Sequence, residues 1–227
     1  MAEPSVWLTL ALVGGIVAID ATSLGQAMVS RPLVAATIGG WVFGRPDAGL
    51  VLGVALELFE LCILPVGAAR TPDGGTGALA AGAAYALAGP PGFEVVAFAL
   101  ALTFGLLAER LAGETVVVLR RANAGLVGEG ALGRIGTARV LERRHLVGIA
   151  LDYGRGAAVS VVAAFAGALL LSALPPIPPD MGRAAFTILG LVLPGMAGAG
   201  AAVLAGGARV PAFLLGLGLG SALWLLL

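Results

Sequence analysis

Two glutamates three residues apart, Glu57 and Glu60, stand inside the apolar run from Ala48 to Leu64. At that spacing they share a helix face, and Gly53, four residues before Glu57, opens the same face to a close neighbour. Ionisable groups at membrane depth are rare and turn towards a cavity or the bundle interior. The pair therefore reads as part of a polar-substrate or ion site. The plainer reading is a helix near the interface whose Glu60 reaches water. Asp73 follows in Pro72-Asp73-Gly74-Gly75. Asp before Gly usually marks a turn, but this turn lies between two apolar runs. Irregular backbone at that depth is tolerated only where it lines a cavity or is buried in protein. A carboxylate and free carbonyls there suit a hydroxyl-rich ligand. Arg70 is close enough in sequence to pair with Asp73, or with Glu57 or Glu60.

Other chemistries are poorly supplied. A single cysteine, Cys62, excludes an intrachain disulfide and any multi-cysteine metal site. The only histidine, His145, follows Arg143-Arg144 at the edge of an apolar stretch, where a solvated or capping role suffices. Ser160 and Ser172 lie in plain apolar runs with no base partner, so nucleophilic catalysis has no constellation. All 13 basic residues are arginine; with no lysine there is no GxxxxGK[ST] loop for a nucleotide. Asp152 and Arg155, three apart, form an expected internal ion pair at a helix start. No residue is assigned as catalytic, metal-ligating or cofactor-binding.

The elements that position these residues are membrane helices. The 227 residues are 59% hydrophobic and 11% charged, against about 25% charged in a soluble domain. Thirty-six glycines suit helices whose backbones pack closely in a bilayer. Net charge is zero, so nothing points to nucleic acid. Residues 1–5 carry no basic residue, and the first apolar run, Val6 to Ala21, is expected to stay as a membrane helix rather than be cleaved. Leu33–Gly44 is a short segment, Ala48–Leu64 nearly spans, and Pro65–Gly77 is expected to be irregular. Ala78–Ala88 is short again. Glu94 to about Leu119 is long, with Glu109, Arg110 and Glu114 expected to emerge into water. Arginines dominate about 120–145, which places that segment in the cytoplasm, with a surface helix near Gly136–Ala150 set against lipid headgroups or, secondarily, a soluble partner. Ala157–Leu174, Arg183–Leu204 and Val210–Leu227 complete about eight apolar segments. Interruptions at Pro65-Val66-Gly67 and Pro194-Gly195, one in each half, point to a transporter with paired broken segments.

The stretch from Ser30 to Asp73 carries a family resemblance. Ser30-Arg31-Pro32-Leu33-Val34-Ala35, Gly44, Gly49-Leu50, Gly53, Leu56-Glu57-Leu58, Pro65-Val66-Gly67-Ala68 and Pro72-Asp73 follow one pattern, "RPL…G", "GxxxGxxLE" and "G/P-x-G…PD". In it the chain resembles the IIC membrane subunit of the mannose/fructose/sorbose-type phosphotransferase systems. Gln26 fits some members, and His145 with Arg155 is similar to a later "H…R" helix. Glu60 stands outside the pattern.

That resemblance implies an all-α polytopic fold with short or re-entrant broken hairpins and inverted repeats, a single domain over 1–227 in the bacterial inner membrane. It implies a sugar-binding permease subunit that moves a hexose while a IIB partner phosphorylates it. The implied partners are a IID membrane subunit and soluble IIA and IIB phosphocarriers in a hetero-oligomer, with no cofactor on this chain. Glu57 and Asp73 are the leading candidates for sugar contact, followed by Gln26 and Glu60, then Arg70. Two alternatives stand: an H⁺- or Na⁺-coupled secondary transporter using Glu57 and Glu60, and a non-transporting membrane scaffold or regulator with the same fold.

Overall fold

The computed structural model describes residues 2–63, 70–89, 95–127, 138–173 and 178–226. Within them lie eight helices and no strand: α1 Pro4–Thr22, α2 Pro32–Val42, α3 Pro46–Glu60, α4 Gly74–Ala88, α5 Val95–Val127, α6 Ala138–Ser172, α7 Pro179–Leu204 and α8 Arg209–Leu226. Among the described residues, α1, α5, α6 and α7 are long and apolar enough to cross a membrane. Proline opens α1, α2, α3 and α7 at the first helical positions, where its missing N–H is no loss.

Helix α4 is the axis of the molecule. Every residue from Gly74 to Ala86 is buried, so it has no solvent or lipid face and must pack all round. Its small residues make that possible. A methyl on Gly82 would run into the Ala36 carbonyl of α2, and one on Gly39 of α2 into the Leu79 carbonyl of α4. Backbones in direct contact replace the hydrophobic drive that a lipid solvent removes. α2 and α3 form an antiparallel hairpin by the same means: Gly49 lies on the Ala36 carbonyl and Gly53 on the carbonyls of Pro32 and Leu33. The turn between them closes on Gly44, whose φ of 78° suits glycine.

α1 lies antiparallel along α6. Trp7 meets Phe165 edge-on at 6.0 Å, Gly14 takes the Ser160 side chain, and Gly156 accommodates Ala18. α7 and α8 pair at the other end of the chain, with Gly216 against the Pro194 carbonyl and Gly198 against the Ala212 carbonyl.

Four expectations change. The segment read as irregular to Gly77 is helical from Gly74, because Asp73 supplies an N-cap. The surface helix and the following span are one helix, α6, continuous over 35 residues. α7 runs through Pro194 without a break, so the expected interruption there is absent. Glu109 does not emerge into water: it is 3% exposed, since Gly77 of α4 packs on its backbone and Cγ. Pro65-Val66-Gly67-Ala68, Glu94, Glu129, Arg134 and the turn at 175–177 lie outside the described residues.

Candidate functional site

The carboxylates that the sequence places at membrane depth are each held by a helix start or a tight loop. Asp73 caps α4: Oδ1 accepts the Thr76 N–H at 3.1 Å and Oδ2 the Thr76 hydroxyl at 2.8 Å. Such a cap satisfies a backbone donor that the helix cannot, and the negative charge sits at the positive end of the helix dipole. The segment leading to Asp73 is strapped along α5. The Asp73 N–H donates to the Glu109 carbonyl at 2.9 Å, Gly113 lets the Thr71 carbonyl approach, and Arg110 donates to the Arg70 carbonyl at 3.4 Å.

Glu57, near the end of α3, reaches the start of α2. Its Oε1 pairs with Arg31 and its Oε2 accepts the Leu33 N–H at 3.2 Å. Glu60, one turn further on, faces the start of α4 instead, with both carboxylate oxygens next to Gly74. Its Oε2 is buried without a hydrogen-bond partner. Asp20, at the end of α1, accepts the N–H groups of Ala27 at 2.6 Å and Ser30 at 2.9 Å. Those bonds fold the 23–30 loop over Asp20 and hold two non-glycine residues in the left-handed region, Gln26 at φ 52° and Met28 at φ 64°.

Arg155 ties these starts together. It is 8% exposed on its side chain and donates to Asp73 Oδ2 at 2.9 Å, to Asp152 Oδ1 at 3.0 Å and to the Thr115 hydroxyl at 3.0 Å. Asp152, fully buried, also accepts the hydroxyls of Thr22 and, at 2.5 Å, Ser23. One guanidinium thus joins α4, α5 and α6 directly and α1 through Asp152. The expected Asp152–Arg155 pair is present, but in mid-helix, and it reaches further than the three-residue spacing implies.

Between these elements lies a cavity of about 310 Å³. Its polar lining includes Arg31, Glu60, Asp73 and Arg120, with the starts of α4 at Gly74 and Gly75. Of the residues singled out from sequence, Glu60 and Asp73 reach this cavity. Glu57 does not line it and acts through Arg31, which does. Gln26 is exposed on the 23–30 loop, outside the lining. Arg70 is exposed and pairs with Glu114 at 3.6 Å, not with Asp73, Glu57 or Glu60, because the strap along α5 carries it away from them.

Sequence reasoning missed Arg31 and Arg120 as lining groups and Arg155 as a hub. Arg31 carried a signal, since it opens the "RPL" segment. Arg155 lies 82 residues from Asp73, and no local pattern reports a contact of that range.

The comparisons with known proteins bear on this geometry. Residues 6–220 match the family described as the PTS system sorbose-specific IIC component. The chain belongs to this family. It is a multi-pass membrane protein of the mannose/fructose/sorbose group of IIC components. A 50-residue stretch, 22% of this chain, is 42% identical to the PTS system sorbose-specific EIIC component of Lacticaseibacillus casei and covers 18% of that protein. A 66-residue stretch, 29% of this chain, is 41% identical to the fructose permease IIC component of Bacillus subtilis (strain 168) and covers 23% of it. The matched stretches thus span less than a quarter of either curated relative. A solved chain described as "Structure of membrane protein" superposes with a TM-score of 0.72 at 18% identity, over 90% of this chain and 79% of that one. That likeness carries the fold.

Proposed function

We propose that the chain is the sugar-binding and translocating IIC permease subunit of a phosphoenolpyruvate-dependent phosphotransferase system. Its substrate is a hexose of the mannose/fructose/sorbose class, moved across the bacterial inner membrane. The reading treats residues 1–227 as one membrane-embedded unit that works with a IID membrane subunit and soluble IIA and IIB phosphocarriers. The phosphoryl group comes from IIB, and no residue of this chain carries it.

The observation that carries the reading is the cavity at the start of α4, where the buried Glu60 Oε2 lacks a donor. Its volume of about 310 Å³ falls at the lower end of the ~300–1,000 Å³ range of small-ligand sites. A buried acceptor without a partner is costly; Oε2 itself has no surface open to the cavity, and a turn of the Glu60 carboxylate into the cavity brings it a sugar hydroxyl as donor. Glu60 takes that hydroxyl. Asp73 already accepts three hydrogen bonds of the roughly four a carboxylate can take, so it frames the site and offers one remaining acceptor position. Glu57 holds Arg31 at the wall.

The short helices support the finer architecture. α2, α3 and α4 have 11, 15 and 15 residues, or ~17–23 Å at 1.5 Å per residue, short of the ~30 Å hydrocarbon core. We read α2–α3 as a re-entrant hairpin and the α7–α8 pair, although α7 is unbroken at Pro194 and long enough to cross, as its counterpart in an inverted repeat. Helix starts converging on a cavity at such a hairpin are the arrangement that transporters use for polar substrates.

The test is Glu60→Gln in the assembled membrane complex, with sugar binding measured by isothermal titration. A hydrogen bond to a charged acceptor is worth roughly 1.5–3 kcal/mol, so the Kd should rise by about tenfold or more with the melting temperature unchanged. An unchanged Kd would remove the cavity from the transport path.

A further inference from the structure

The two longest helices outrun the bilayer. Counting from Val95, α5 reaches Thr115 after ~30 Å, the thickness of the hydrocarbon core. α1, with 19 residues, covers ~28 Å and ends at Thr22. Both end points meet on the same group: Thr115 contacts Arg155, and Thr22 contacts Asp152. With the arginine-rich 120–145 segment on the cytoplasmic side, we take the Asp152–Arg155 level as the cytoplasmic edge of the hydrocarbon. α5 continues beyond it to Val127, and α6 begins before it at Ala138.

On this projection Leu126, Arg139, Val140, Arg143, Arg144 and Val147 enclose a groove of about 450 Å³. Arg139, Arg143 and Val140 are exposed, as are Leu141 and Leu146 beside them. The three arginines precede Asp152 by eight to thirteen residues, which is ~12–20 Å along the helix. The headgroup layer is only ~5–8 Å deep on each side. Because α6 is continuous through this region, the segment cannot fold down onto the lipid as a separate surface helix would. Its arginines stand past the headgroups, in water. Among the described residues of the projection, Arg120, Arg121, Arg139, Arg143 and Arg144 are set against a single acid, Glu142. That excess repels a second copy of the same surface and favours an acidic one.

We propose that the α5–α6 projection is a docking surface for a soluble protein with an acidic rim around an apolar patch. The apolar patch would lie on Val140, Val147 and Leu126, and the rim on Arg139, Arg143 and Arg144. This rests on the proposed function, under which a soluble phosphocarrier must approach the cavity from this side; Arg120 belongs to both the projection and the cavity lining. Complementary charge at such a rim speeds encounter and makes it salt-dependent.

The experiment uses the full membrane complex in nanodiscs of uncharged lipid, with a purified IIB subunit of the mannose/fructose/sorbose group from the same organism as the probe and sugar binding measured in the same samples. R139Q/R143Q/R144Q should weaken IIB binding by about tenfold, flatten its salt dependence and leave the sugar Kd unchanged. Glu142→Gln should tighten IIB binding by about twofold, a gain that misfolding cannot mimic. Equal IIB affinity in all three proteins overturns the docking surface. So does an arginine effect that appears only when anionic lipid is added, since that marks a headgroup site. If wild type binds IIB but no sugar, the transport reading fails while the docking surface survives. If wild type binds sugar but IIB in neither lipid, the docking surface fails alone.

Discussion

Replacing Arg155 with glutamine is the most searching perturbation of the site. Among the described residues, Arg155 is the group that touches Asp73, Asp152 and Thr115 together. Its side chain is 8% exposed, and the carboxylates it neutralises are 2% and 0% exposed, so water cannot replace it. Removing one partner of a buried ion pair costs about 3–5 kcal/mol. Asp152 would keep the hydroxyls of Thr22 and Ser23, and Asp73 would keep Thr76, which puts the loss towards the lower end. At 2–4 °C per kcal/mol for a chain of this size, the melting temperature should fall by roughly 6–12 °C. The assay is thermal unfolding of the purified complex in detergent, followed by sugar binding at a temperature where the variant is folded. Sugar binding should also weaken, because Asp73 fixes the start of α4 against the cavity. The neutral triple variant R155M/D73N/D152N supplies the control. Replacing a whole buried ionic cluster by neutral groups is far less costly than breaking it, so the triple variant should regain a good part of the lost melting temperature. A melting temperature within 2 °C of wild type for Arg155→Gln, or no recovery in the triple variant, would refute the hub.

Two further outcomes follow from the packing around α4. Gly82→Ala puts a methyl on the Ala36 carbonyl, and overpacking of that kind costs about 1–3 kcal/mol; thermal unfolding should show the loss without any change in sugar Kd at low temperature. Asp73→Asn keeps an N-cap acceptor whereas Asp73→Ala does not, and cap loss alone costs ~1 kcal/mol. The alanine variant should therefore melt below the asparagine variant, and equal melting temperatures would show that the cap contributes nothing.

Much of the frame was legible in the chain itself. Composition required a lipid solvent, and apolar runs punctuated by proline and glycine marked a segment in each of the eight described helices, although α6 was read as two pieces, because those residues act on their own backbone. The polar residues inside apolar runs marked the right neighbourhood for the same reason: their cost is local and visible. What each carboxylate does was not legible. Glu57 and Glu60 are equivalent by spacing, yet the first is consumed by Arg31 and the Leu33 N–H, while the second lines the cavity and keeps one buried oxygen without a partner. Glu109 reads as an interfacial charge and is buried. Asp73 reads as a free loop carboxylate and is a helix cap with an arginine on it.

Sequence alone therefore determined the solvent, the helices and the family pattern, since each depends on neighbours along the chain. The tertiary structure decided which charges meet. Arg155 selects Asp73, Asp152 and Thr115 from three helices because close glycine packing around α4 brings those backbones together. It likewise set Glu60, a carboxylate outside the family pattern, in the cavity wall. A charge at membrane depth takes its role from whatever partner the packing delivers, and that partner can come from a distant part of the chain.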